Sequence, residues 1–293
     1  MYIIHCTLLI YVNDMEILIL ITVAVCIFGL SACAISEKAL KTTEYTLKSQ
    51  TSAPITVAVV SDLHFSRFGK DNKRLVDAVK KMNPDAILLA GDFFDYHHQK
   101  SNKDAVVATM KAFCKIAPTY MCPGNHDMRY NVLTGENCLD YARNSGVKVL
   151  DGEYADTVIN GQNVRIGGIF DYSVYAEDYG ERWNKSDVYA YLKNFEQTDA
   201  LKLLLMHRPN TFIYTDDEWN IDAVFCGHDH GGIWRLPFIG GVYAPEQGFF
   251  PEYDKGEYNF GKMKMFLCAG LEGYYWVPRV FNRAEILKIS INE

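Results

Sequence analysis

A chain of 293 residues, 49% hydrophobic and 22% charged, has room for one large or two small cores and the composition of a globular protein with an apolar start. Its formal net charge of −7 and pI near 5.6 argue against broad binding to a phosphate backbone, so nucleic acid is an unlooked-for partner. Eight cysteines, five of them beyond the apolar start, lack zinc-finger spacing and read as buried or free thiols.

From Ile17 to Ile35 every residue is apolar or small except Thr22 and Ser31, a run just long enough to cross a bilayer. Residues 1–35 therefore read as a hydrophobic N-terminal segment and imply a cell-membrane location, single-pass or signal-anchored. A cleaved signal is the rival reading, because Leu30-Ser31-Ala32-Cys33 resembles a lipoprotein box. No Lys or Arg precedes Lys38, which favours the cytoplasmic side, although a start at Met15 instead of Met1 leaves the side open. Residues 36–53, rich in Lys, Thr and Ser, read as a polar linker, and residues 54–293 as one globular domain.

The first strand is expected over Ile55 to Val60 and ends in Ser61-Asp62-Leu63-His64. Residues two apart in extended chain face one way, so Asp62 and His64 aim at one target. Asp71 is expected to cap a helix whose stripe is Leu75, Val76, Val79 and Met82. A second strand, Ala86 to Ala90, runs into Gly91-Asp92-Phe93-Phe94-Asp95, and a helix near 104–115 leads to a third strand that ends in Pro123-Gly124-Asn125-His126-Asp127. A helix near 136–144, a strand near 147–150 and a hairpin turning at Asn160-Gly161 follow. After a helix near 187–197, the apolar run Leu201 to Met206 ends at His207-Arg208-Pro209. The next, Ala223 to Cys226, ends at Gly227-His228-Asp229-His230-Gly231-Gly232.

Five strands thus end in polar clusters, and ligands in α/β sheets bind at the carboxyl ends of strands. The candidates are Asp62, His64, Asp92, Asn125, His126, His207, His228 and His230, with no thiolate among them. Mixed imidazole and carboxylate donors suit manganese, iron or zinc. Seven ligands exceed one tetrahedral zinc, whereas two ions about 3.5–4 Å apart and sharing a carboxylate account for them and suit phosphoester cleavage.

In order, Asp-x-His, Gly-Asp-x-x-Asp, Gly-Asn-His-Asp, a lone His and Gly-His-x-His resemble the calcineurin-like metallophosphoesterases. That resemblance implies a four-layer α/β sandwich, two mixed sheets flanked by helices, here behind one N-terminal hydrophobic helix. It implies two divalent metal ions, one held by Asp62, His64, Asp92 and His230, the other by Asp92, Asn125, His207 and His228, with a shared water as nucleophile. His126 would act as general acid, oriented by Asp95. The best likeness is to the YkuE-like membrane-associated branch, through the apolar start, His207-Arg208-Pro209 and the run from Gly231-Gly232 to Arg235-Leu236-Pro237. Two departures stand near the expected site mouth: Ile233 where Gln is common, and Ala269-Gly270-Leu271-Glu272-Gly273 for Arg-Gly-Leu-Gly. Tyr96-His97 replaces the Arg-Gly of protein serine/threonine phosphatases. The expected activity is that of a phosphodiesterase or pyrophosphatase on a phosphoester substrate, lipid-linked ones included. The alternatives are a UDP-2,3-diacylglucosamine pyrophosphatase-like lipid enzyme, a nuclease, and a metal-binding scaffold without turnover.

Overall fold

The apolar runs of the sequence become the strands of two six-stranded sheets. In the computed structural model the described residues are 16–23, 36, 39–97, 100–170, 185–213, 218–273 and 277–293. The strands are β1 (Lys41–Lys48), β2 (Ile55–Val60), β3 (Ala86–Ala90), the small pair β4 (Tyr96–His97) and β5 (Lys100–Ser101), β6 (Thr119–Cys122), β7 (Lys148–Val149), β8 (Glu153–Ile159) and β9 (Gln162–Ile169). Next come β10 (Leu201–Met206), β11 (Ala223–Cys226), the fragments β12 (Arg235–Leu236), β13 (Gly240–Gly241), β14 (Tyr243–Ala244) and β15 (Gly248–Phe249), and finally β16 (Gly256–Phe260), β17 (Met263–Leu267) and β18 (Glu285–Asn292).

The first sheet runs β1-β18-β2-β3-β6-β7 and the second β16-β17-β11-β10-β9-β8. In the first, β2, β3, β6 and β7 are parallel, and in the second β9, β10, β11 and β17 are parallel. A strand buried on both faces reads as an unbroken apolar run, which is why Leu201–Met206 has no polar alternation beyond Lys202. Its period of two still sorts the side chains. Leu201, Leu203 and Leu205 fill the space between the sheets, while Leu204 and Met206 meet the helix Lys185–Phe195 on the outside. On the far face of the first sheet, Ala58, Val60, Ile87 and Leu89 pack with Leu75 and Val79 of Lys73–Lys81 and with Val106, Met110 and Phe113 of Lys103–Cys114. Helices, sheet, sheet and helices make the expected four layers.

Three local expectations are corrected. The polar linker of residues 36–53 contains β1, an edge strand parallel to β18, with Thr43 opposite Leu287. Its outward residues are polar, as an edge requires, and only Leu47 is buried, so periodicity gave little signal. Asp71 does not cap the helix that begins at Lys73. That end is held by Asn72, whose Oδ1 accepts from Phe68 N at 2.9 Å and whose Nδ2 donates to Thr109 Oγ1 at 2.9 Å. A helix not foreseen, Asn125–Thr134, starts inside the third polar cluster. As for the apolar start, residues 16–23 are helical, and residues 24–35 lie outside the described residues. Among the described residues no helix is long and apolar enough to cross a membrane.

Candidate metal centre

Tight left-handed turns, not strand alternation, bring the predicted residues together. Asp62, His64, Asp92, His228 and His230 all have positive φ, between 41° and 73°. For residues other than glycine this conformation costs about 1–3 kcal/mol each and persists only where the surroundings enforce it. Here the enforcement is visible. Asp62 N and His64 N donate to the carbonyls of Gly91 and Asp92 at 3.1 and 3.2 Å, which ties the turn after β2 to the turn after β3. Asp127 holds the latter, its carboxylate accepting from the backbone N–H groups of Asp92, Phe93, Phe94 and Gly124 at 2.7–3.0 Å. Space is as tight as the hydrogen bonding. A Cβ at Gly91 would lie 2.6 Å from His207 Nδ1, and one at Gly227 2.5 Å from Asp62 Oδ2.

Two groups of donors result. Asp62, His64 and His230 converge in one, and Asp92, His207 and His228 in the other, the donor atoms of each lying within 4.8 Å of one another. Asp92 stands between them, its Oδ2 3.7 Å from His64 Nε2 and 3.0 Å from His207 Nε2. A third group, His64, Asp95 and His126, adjoins the first. Asp95 Oδ2 lies 3.1 Å from His64 Nδ1 and 3.3 Å from His126 Nδ1, and the two imidazoles meet edge to face at 4.5 Å. Asp95 therefore serves two histidines, where the sequence reading gave it only His126.

The donor chemistry fits cations. Asp62 Oδ2, His64 Nε2, Asn125 Oδ1 and His228 Nε2 are buried without a hydrogen-bond partner, a state that polar atoms in folded proteins normally avoid. Two rings are turned to aim Nε2 inward. His207 Nδ1 lies 2.7 Å from the Ala90 carbonyl and His230 Nδ1 3.0 Å from the Glu272 carbonyl; since a carbonyl only accepts, Nδ1 is the protonated nitrogen of the neutral ring and Nε2 is left to face the donor group. The electrostatics agree. Burial disfavours a charged His64, yet its bond to Asp95 and the charge of Asp92 outweigh this and push it up to about 10. At His207 burial again opposes charge, and Asp92 pushes it up to about 9. At the other two imidazoles burial wins despite the nearby carboxylates, helped by Arg208 and His207 around His228 and by His64 and Arg279 around His230: His228 goes well down and His230 down to about 4. Around Asp92 and Asp95 the buried negative charge is strong enough to favour a positive partner.

Other members of the clusters have structural roles. Asp229, between the two ligand-like histidines, joins neither group; it accepts from Gln247 Nε2 at 2.9 Å, and burial raises its pKa well above the usual carboxylate range. Three buried residues escaped the sequence reading. Asn102 Nδ2 donates to the carbonyls of Phe93, at 2.7 Å, and His64, fixing both ligand turns. Arg279 donates to Gly270 O at 2.8 Å and His230 O at 2.9 Å, and Asn282 Nδ2 to His230 O at 2.7 Å. No local pattern marks them, because each acts on backbone far away in the chain.

The family model for calcineurin-like phosphoesterases matches residues 55–232, more than half of the chain and all five clusters. The chain belongs to that family. It is 26% identical over 248 residues to "Phosphodiesterase YaeI" of Escherichia coli (strain K12), covering 82% of this chain and 83% of that one. To "Uncharacterized metallophosphoesterase YkuE" of Bacillus subtilis (strain 168) it is 25% identical over 241 residues, covering 79% and 78%. Among solved structures it is similar to TT1561 of Thermus thermophilus, with a TM-score of 0.47 and 13% identity over 75% of this chain and 91% of that one. As a calcineurin-like phosphoesterase, the protein is a metal-dependent hydrolase of phosphoric esters.

Proposed function

We propose that the protein is a dinuclear phosphodiesterase, held at a membrane by its apolar start. The observation that carries this reading is Asp92, whose Oδ2 stands between His64 of one donor group and His207 of the other. Asp62, His64, Asp92 and His230 would hold one cation, and Asp92, Asn125, His207 and His228 the second, with manganese, iron or zinc suited to the donors. Bound there, two cations would neutralise phosphate oxygens and make a water acidic enough to attack near neutral pH. His126 gives a proton from Nε2 to the leaving oxygen, while Asp95 beside Nδ1 holds the ring in place. The name of the YaeI relative supports a diester over a monoester. A pyrophosphate in a lipid-linked substrate is the second reading, favoured by the apolar run Ile17 to Ile35.

The test strips the full chain of metal and adds manganese, iron, zinc or magnesium in turn, with bis(p-nitrophenyl) phosphate and p-nitrophenyl phosphate as substrates. Metal-restored cleavage with the diester preferred supports the proposal. Preference for the monoester overturns it, and bound metal without cleavage of either ester moves the weight to the pyrophosphate reading.

A further inference from the structure

Five of the six exposed aromatic side chains among the described residues, Trp234, Phe238, Phe249, Phe250 and Phe281, come from two short stretches next to the metal centre. They sit on a small ladder. Trp234 bridges Val280, Val242 N donates to Trp234 O at 2.8 Å, and Phe250 N donates to Val242 O at 2.8 Å. Phe238, at the turn between β12 and β13, is fully exposed, and Ile239 beside it is 63% exposed. Asn282 ties the ladder to the centre, its Nδ2 donating to the carbonyls of His230 and Ile233 at 2.7 and 3.1 Å. Exposed aromatic side chains gathered on one ladder next to a catalytic centre mark an interaction site unless something covers them.

The course of the chain says what covers it. Thr43 of β1 lies opposite Leu287 of β18, and Leu287 lies opposite Val59 of β2, so β1 begins at the end of the sheet where β2 gives way to Asp62. Just before it, Ser36 is buried against the ladder's own segment: Asn282 N donates to Ser36 Oγ at 3.2 Å and Ala284 N to Ser36 O at 3.0 Å. Ser36, the residue that follows the apolar run Ile17 to Ile35, thus enters the domain beside Phe281, at the metal-centre end. Lys41 and Arg283, both exposed, flank that entry. Aromatic rings with basic neighbours are the composition of a membrane interface.

We propose that this aromatic face docks on the lipid surface, so that the metal centre opens toward the bilayer and takes phosphodiesters carried in it. The inference rests on the membrane placement proposed above.

The experiment places the full chain in vesicles of phosphatidylcholine and phosphatidylglycerol with brominated acyl chains and reads tryptophan quenching. The Trp234 signal is the difference between the native chain and Trp234→Phe. The comparison is Val158→Trp, at the β8–β9 hairpin, which the register Ile159↔Gln162 and Ile169↔Met206 puts at the far end of the second sheet. Loss of most Trp234 emission with none at Val158→Trp is expected. Equal quenching at both positions, or none at either, overturns docking through this face. A Trp234 emission shift that follows protein concentration without lipid assigns the face to a second copy and also overturns it. Asp92→Asn, which removes turnover, should be quenched like the native chain. Quenching in a native chain that cleaves no diester refutes the phosphodiesterase reading alone, and diester cleavage without quenching refutes the docking alone.

Discussion

The two sheets contribute different chemistry to the centre. From the first come all three carboxylates, Asp62, Asp92 and Asp95, together with Asn125, His64 and His126; from the second come only the imidazoles His207, His228 and His230. Each donor group nevertheless draws on both, since Asp62 and His64 meet His230, and Asp92 meets His207 and His228. The carboxylates are concentrated on one sheet, and imidazoles are brought to them by the other. The lesson is that the centre is a seam, and a cation bound in it would join the two halves of the sandwich as well as serve catalysis.

The widest test of that seam is Asp92→Asn, which touches both groups; it should abolish nearly all turnover and lower the metal content, read by elemental analysis of the purified protein. His228→Ala, on the second sheet only, should remove one cation and leave the other measurable. His126→Ala belongs to neither donor group, so it should keep the full metal content and slow diester cleavage by roughly 10²–10⁴-fold, with a smaller loss on a good leaving group. An unchanged rate on a poor leaving group would remove His126 from the mechanism. Asp95→Asn, which acts through His64 and His126, should cost about 10–100-fold in activity or metal affinity. The smallest effect is thermal. Cation at a hundred times its dissociation constant should stabilise the folded chain by about 2.7 kcal/mol over chelated protein, a rise in Tm of several degrees, and Asp92→Asn should lose most of it. Equal melting with and without chelator would mean that the seam is held by packing alone.

Most of the framework was legible because its strands are unbroken apolar runs, and a run such as Leu201–Met206 announces burial whatever surrounds it. The clustered residues were legible for a related reason: each follows such a run directly, so finding the strand finds the cluster. What the sequence hid was how they converge. Asp62 and His64 were expected to face one way through strand alternation, whereas they do so through left-handed turns held by the Gly91 and Asp92 carbonyls. Those turns depend on Asp127 and Asn102, and the second histidine turn on Arg279 and Asn282, residues whose side-chain hydrogen bonds to the turns span up to 52 positions. Edge strand β1 stayed hidden because a half-exposed strand of Lys, Thr and Glu is indistinguishable by composition from a linker.

The position of β18 bears on how the protein is made. It lies between β1 and β2, two strands that are near neighbours in the chain, and the bond from Thr43 Oγ1 to Glu285 Oε1 closes a span of 242 residues. During synthesis β1 waits for its partner until every residue between Lys48 and Glu285 has been made. Such long-range closure slows folding, and until it happens the segment next to the apolar start is a loose thread. Until β18 is made the sheet is unfinished, and its arrival is what ties β1 to the rest of the domain.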